Sequence, residues 1–166
     1  MPDEASLVTD EARALVGMPL SEPLTGTITA KEAQRFACAA GDMNPLYFDG
    51  AAARAAGYRT TIVPPTFISW ALSSFRPADE LRHDGLYRGD GRRVYLRAKR
   101  VMYGGQEWEF LAPVYAGDTL TSVTRLKSLE EKTGSSGTFV LQTTETTFTN
   151  QHGDVVALAR GKSIAR

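Results

Sequence analysis

Phe36-Ala-Cys-Ala-Ala-Gly-Asp-Met-Asn-Pro-Leu-Tyr47 sets an apolar helical run, a glycine exit, an acid, an amide and a proline in immediate succession. A helix that ends at Gly41 releases the chain into an irregular turn. Asp42 and Asn44 then stand just past a rigid element, where polar groups face a ligand rather than pack. Upstream, Thr29 precedes Ala30-Lys31-Glu32 with the Thr-x-x-Glu spacing of a capping box, and Ala33, Phe36, Ala37 and Ala40 fall on one apolar face, so the spacing predicts a helix. Cys38, between alanines in that run, reads as a small core residue.

Downstream, Asp49 is placed to cap a short helix through Ala51–Ala56 that Gly57 stops. Pro64-Pro65 then opens Thr66-Phe-Ile-Ser-Trp-Ala-Leu-Ser-Ser-Phe75, a helix apolar nearly all round and therefore expected to be buried. Before the opening stretch, residues 3–16 carry Leu7, Ala12, Leu15 and Val16 at helical spacing, and Pro19–Thr29 suits an edge strand. Residues 76–93 lose all period and read as a mobile loop. From Val94 onward the chain alternates apolar and polar residues. Strands are expected at Val94–Met102, Gln106–Val114, Asp118–Leu129, Thr138–Thr149 and Val155–Ile164, with glycine-containing turns between them. Helices first and an antiparallel meander afterwards predict a single α+β domain over residues 1–166, its sheet wrapped around a central apolar helix.

The 166 residues carry 19 Lys+Arg against 19 Asp+Glu. A formal charge of zero gives no bulk attraction to nucleic acid or an anionic membrane, so the expected partner is a small molecule or another protein. One cysteine makes no internal disulfide, and two separated histidines offer no metal-ligand spacing, so no metal is expected. The acidic N-terminal residues lack the pattern of a secretion signal and no window reads as a membrane span, which makes the cytoplasm the expected location.

Gly41-Asp42-Met43-Asn44-Pro45-Leu46-Tyr47 resembles the Gly-Asp-x-Asn-Pro-x-His signature of MaoC-like hydratases and dehydratases, a hot-dog-fold family. The likeness runs on in order through Ile62-Val-Pro-Pro-Thr-Phe67, Tyr103-Gly-Gly-Gln-Glu-Trp108, Pro113-Val-Tyr-Ala-Gly-Asp118 and Thr146-Thr-Phe-Thr-Asn-Gln-His-Gly-Asp154. In catalytic members the acid and the histidine of this turn act together on the water that adds to, or leaves, the β-carbon of an acyl thioester. Here Asp42 is kept and Tyr47 stands at the histidine position. A phenol with a pKa near 10 is a poor acid–base partner at neutral pH. In this the chain resembles the N-terminal, non-catalytic repeat of two-hot-dog hydratases, including those acting on mesaconyl-type CoA esters. Separate subunits of the same type occur in mycobacterial hydroxyacyl-carrier-protein dehydratases and in steroid side-chain degradation.

The resemblance implies an (R)-specific enoyl-thioester hydratase or 3-hydroxyacyl-thioester dehydratase. A partner hot-dog chain supplies the working Asp and His, CoA or an acyl carrier bears the substrate, and no cofactor is involved. It also implies that the Thr66 N–H polarises the thioester carbonyl. The unpaired N–H groups of Thr66, Phe67 and Ile68 after Pro65 suit that charge independently. Asn44 either holds the turn or touches ligand, and Asp42 either braces it or takes part in catalysis. Gly104-Gly105-Gln106 allows close backbone approach to a ligand or forms a bulge. The arginines of residues 76–100 form a solvated face or meet phosphates. Two other readings stay open: an acyl-thioester-binding hot-dog without activity, and a homodimeric hydratase or thioesterase using Asp42.

Overall fold

Alternation in the C-terminal half sets up the sheet, and one turn of helix covers its concave side. The computed structural model describes residues 6–73, 77–83, 91–135 and 137–166. Its strands are β1 (Leu24–Thr27), β2 (Val101–Phe110), β3 (Thr119–Gly134), β4 (Gly137–Thr149) and β5 (Val155–Ala165), wholly antiparallel in the order β1-β3-β4-β5-β2. The helices are α1 (Asp10–Ala14), α2 (Ala30–Ala40), α3 (Gly50–Ala55) and α4 (Ile68–Ala71), the last preceded by a 3₁₀ turn at Pro65–Phe67. This is the expected α+β domain with an antiparallel sheet.

Local hydrogen bonds end the elements where their residue types require it. Thr29 Oγ1 accepts from the Glu32 N–H at 3.2 Å as the N-cap and donates to the Glu32 carboxylate, a side-chain variant of the capping box. At the other end of α2, Gly41 takes a left-handed φ of 72° and the Asp42 N–H donates to Ala37 O at 2.9 Å. Asp49 caps α3 through the N–H groups of Ala51 (2.7 Å) and Ala52 (3.3 Å).

Side chains eight residues apart on a strand share a face, which puts Val140 and Phe148 of β4 on the same concave side. Around Phe148 lie Leu120, Val156, Ala157 and Ala159 from the sheet, with Phe67 and Ile68 packed over them and Ala33 of α2 alongside. Phe36 meets Phe67 edge-on at 5.6 Å, and Trp108 stacks on Phe148 at 5.4 Å. Around Val140, a second cluster joins Ala165 to Val8 and Ala12 of the N-terminal segment.

Four expectations are corrected. The N-terminal helix covers only Asp10–Ala14, capped by Thr9; residues 1–5 lie outside the described residues. The helix opened by Pro65 reaches Ala71, with Phe67 and Ile68 buried but Ser69 and Trp70 exposed, so its apolar character does not mean burial all round; residues 74–76 lie outside the described part. In place of the strands expected at 94–102 and 106–114 there is one strand, β2 at residues 101–110, with 94–100 and 111–114 outside it. Gly104-Gly105 is a bulge within it, the pairing with β5 slipping by one residue between Tyr103 and Gly105, where Gly105 takes φ +116°. Cys38 is exposed, because α2 turns Ala33 and Ala37 to the core instead. Of the expected loop at 76–93, Ala78–Glu80 form a 3₁₀ turn and residues 76 and 84–90 fall outside the described set.

Leu120 is wholly buried under the 3₁₀ turn and α4. Leu120→Ala is expected to cost about 3 kcal/mol in urea denaturation, whereas Leu24→Ala, on the edge strand with its side chain nearly half exposed, costs under about 1 kcal/mol.

Candidate functional site

Past Gly41 the backbone is organised by two side chains that reach two residues forward. Asp42 Oδ1 accepts from the Asn44 N–H at 3.3 Å, and Asn44 Oδ1 accepts from the Leu46 N–H at 3.0 Å, capping a 3₁₀ turn over Pro45–Tyr47. Asn44 therefore holds the turn. The same turn carries Tyr47 inward, where it is only 7% exposed, while Gln34 of α2 donates to its backbone carbonyl at 3.2 Å. Burial raises the pKa of the Tyr47 phenol, and the Asp42 carboxylate beside it adds to the rise by its charge and by hydrogen bonding, with Tyr58 also contributing. The structure thus brings Asp42, Tyr47 and Tyr58 together. What the cluster offers near neutral pH is a phenol that keeps its proton, next to an exposed acid.

Two backbone bonds hang the turn beside a cavity. Ile62 N–H donates to Leu46 O at 3.1 Å, and Val63 N–H to Val114 O at 2.9 Å. The cavity, of about 240 Å³, is lined chiefly by apolar side chains, among them Ile62, Ile68, Phe110 and Leu111, with Pro65 and Tyr58 at its wall. The expectation of three free N–H groups after Pro65 is corrected to one. Phe67 N–H donates to Pro64 O at 2.9 Å and Ile68 N–H to carbonyls within the turn, because a 3₁₀ start closes i→i+3 bonds at once. Among the described residues nothing occupies the Thr66 N–H, and Thr66 is exposed.

Gly104, Gly105 and Gln106 are not brought to this cavity. They sit on β2, an outer strand of the sheet, where a Cβ on Gly104 would lie 3.2 Å from Lys162 O of the neighbouring strand. A cavity of about 740 Å³ lies toward the opposite end of the strands, at Val101, Gln142 and Ser163; Arg82, His83, Arg92 and Arg93 line it. His152 is at the exposed tip of the β4–β5 hairpin. Among the described residues no group of three His, Cys, Asp or Glu side chains is placed to hold a metal, and no helix is long and apolar enough to cross a membrane.

Sequence reading missed the clamp behind the site. Asp118 is 5% exposed and accepts from Arg59 Nη2 at 2.6 Å, Gln151 Nε2 at 3.1 Å and the Tyr115 N–H at 2.9 Å, while the Arg59 guanidinium lies 4.1 Å from the Tyr115 ring centre. Burial by itself raises the Asp118 pKa, but the three donors and the guanidinium charge outweigh it and hold the carboxyl below its ordinary value. The only signal was an acid directly after the Gly117 turn; its partners lie 59 and 33 residues away.

A curled antiparallel sheet closed over a short helix, with an acid-bearing turn at the helix entrance, defines a MaoC-like hot-dog domain. Residues 14–159 match the FAS1-like dehydratase domain region, and the chain belongs to that family. It is 36% identical over 102 residues to the UPF0336 protein of Streptomyces avermitilis, spanning 61% of this chain and 62% of that relative. It is 30% identical over 158 residues to the probable enoyl-CoA hydratase alpha subunit of Thermomonospora curvata, spanning 89% of this chain and about half (48%) of that relative. Two solved structures share the fold. The ChsH1–ChsH2 complex from Mycobacterium tuberculosis superposes with a TM-score of 0.72 at 18% identity, covering 93% of this chain and 92% of that one. The C-terminally truncated HadBC (3R-hydroxyacyl-ACP dehydratase) complex of the same organism gives 0.65 at 23% identity, covering 91% and 97%.

Asp118→Asn keeps the shape and removes the charge. It is expected to lower stability by about 2 kcal/mol at neutral pH, since hydrogen bonds to a charged group each contribute about 1.5–3 kcal/mol. The folded pKa lies below the unfolded value near 3.8, so the carboxylate's contribution is complete above that pH and fades as pH falls below it. Urea titrations of both proteins are expected to show a constant gap above pH 5, by roughly one unit of margin, and convergence below 3.8.

Proposed function

We propose that this chain is the non-catalytic hot-dog half of an (R)-specific enoyl-thioester hydratase or 3-hydroxyacyl-thioester dehydratase, working with a second hot-dog chain that supplies the Asp and His. The observation that carries the reading is the buried Tyr47 phenol beside Asp42, its pKa raised rather than lowered. Adding water across the α,β double bond needs a base to take a proton from the water as its oxygen bonds the β-carbon, and an acid to deliver a proton at the α-carbon. A phenol that holds its proton through neutral pH serves neither half of that exchange efficiently. The reaction is redox-neutral, so the reading calls for no cofactor.

On this reading Asp42 braces the turn and Tyr47 seals it. The apolar cavity between Pro65 and Phe110 forms part of the acyl path, and the N–H of Thr66, the residue after Pro65 of the cavity wall, is the donor for a thioester oxygen. The likeness to a hydratase alpha subunit and to two-component complexes supports a two-chain assembly. So does the sheet itself, which ends at β2 with Val101 69% and Tyr103 76% exposed. A ten-residue strand whose outer edge pairs with no other strand among the described residues, and which carries large apolar side chains, is a surface that another strand covers. On this reading the edge seats the partner, and Gly104–Gln106 face it rather than the substrate.

Crotonyl-CoA hydration tests this, with the purified chain alone and with the hot-dog chain encoded beside it. Turnover is expected only from the pair. In the pair, Asp42→Asn is expected to lower kcat less than about tenfold, whereas loss of a general acid or base costs about 10²–10⁴. Full turnover by the lone chain, abolished by Asp42→Asn, contradicts the reading.

A further inference from the structure

The convex face of the sheet carries a line of charges that crosses the strands and stops at the open edge. Lys127 Nζ of β3 lies 2.5 Å from Glu145 Oε2 of β4, Arg160 Nε of β5 lies 2.7 Å from the same carboxylate oxygen, and Arg160 Nη2 lies 3.5 Å from Glu109 Oε2 of β2. A second rung runs from Lys162 of β5 to Glu107 of β2 at 2.6 Å. The signs alternate strand by strand: plus, minus, plus, minus. Both rungs end on acids of the outermost strand, and both acids are more than half exposed. Side chains directly opposite on neighbouring strands share a face and lie close enough to attract or repel.

A second copy of this chain answers these acids badly. Two copies of β2 related by a two-fold axis form an antiparallel pair in which residues opposite each other share a face, so the axis passes through a residue position. Centred on Glu107, Trp108 or Glu109, the pair sets an acid directly opposite an acid; centred nearer the bulge, it adds no counter-charge from the second copy to those Lys162 and Arg160 already supply. Another chain whose edge strand carries Lys or Arg at those positions continues the alternation by one more strand.

We infer that the β2 edge selects its partner by charge: the chain seated there is not a second copy but a different hot-dog chain with basic residues opposite Glu107 and Glu109. This rests on the two-chain reading above and adds the chemistry of the partner's edge. The steering acts through exposed groups, so it weakens with salt.

Sedimentation without any thioester tests it separately from hydration. Wild type is expected to be monomeric at low salt, and Glu107→Gln, Glu109→Gln to self-associate at least about threefold more tightly, as removing like charges across a strand pair allows. As a stand-in for a basic edge, a copy bearing Glu107→Lys and Glu109→Lys, checked for native circular dichroism and melting, is expected to form a mixed dimer with wild type at low salt that dissociates in molar salt. Two results overturn the inference: a wild-type homodimer that the glutamine substitutions leave unchanged, or a lysine variant that shows no preference for wild type over itself. A lysine variant that fails to fold leaves the glutamine comparison to decide. Either overturning result leaves the hydratase reading standing if the pair turns over crotonyl-CoA, and absence of turnover leaves the charge selection standing if the mixed dimer forms.

Discussion

A single buried carboxylate ties together the parts of the chain from which the site is hung. Asp118 gathers Arg59 from the segment after α3, the Tyr115 N–H from the connection between β2 and β3, and Gln151 from the β4–β5 hairpin. These belong to three stretches far apart in the sequence, two of them also joined directly by the Val63 N–H bond to Val114 O at 2.9 Å. Held there, residues 58–63 link α3 to the site, with Ile62 bonded to Leu46 in the acid-bearing turn and the next residue, Val63, bonded to Val114. Burial disfavours the charge, and only a full set of donors makes it tolerable. The Asp42 turn and the cavity at Pro65 keep their relative places because that set is complete.

On the reading proposed above, the turn so positioned belongs to a hydration site but lacks the acid–base partner for one. Asp42 and Asn44 both spend an oxygen on backbone N–H groups, and Tyr47 is driven by burial and by the neighbouring carboxylate toward holding its proton more firmly. An imidazole titrates near neutral pH and can act in both directions; a phenol in this setting cannot. On that reading the exposed edge of β2 and the tyrosine at position 47 both fit a second chain.

How much of this was legible follows from the range of the interactions. The Gly41 exit, the caps at Thr29, Asn44 and Asp49, and the pairing of Asp42 with Tyr47 all involve residues within five positions of one another, and each stood in the sequence as a residue type at a fixed spacing. The glycine pair at 104–105 was ambiguous between turn and bulge because the choice is made by β5, more than fifty residues later. Cys38 was misplaced because its alanine neighbours suggest core, although Ala33, Phe36 and Ala37 mark the inward face and position 38 lies off it. The length of the helix after Pro65 and the Asp118 clamp were hidden as the bulge was: both depend on contacts between distant segments, and neither leaves a periodic trace.

The central claim is that the proton chemistry is borrowed, and the pH dependence of kcat/KM for crotonyl-CoA measures it directly. For the assembled pair the rate is expected to fall below about pH 6.5, the limb of a partner imidazole, and to keep that limb in Tyr47→Phe. A lone chain that turns over with an alkaline limb above the ordinary tyrosine range, removed by Tyr47→Phe, would show instead that the phenol does the work itself.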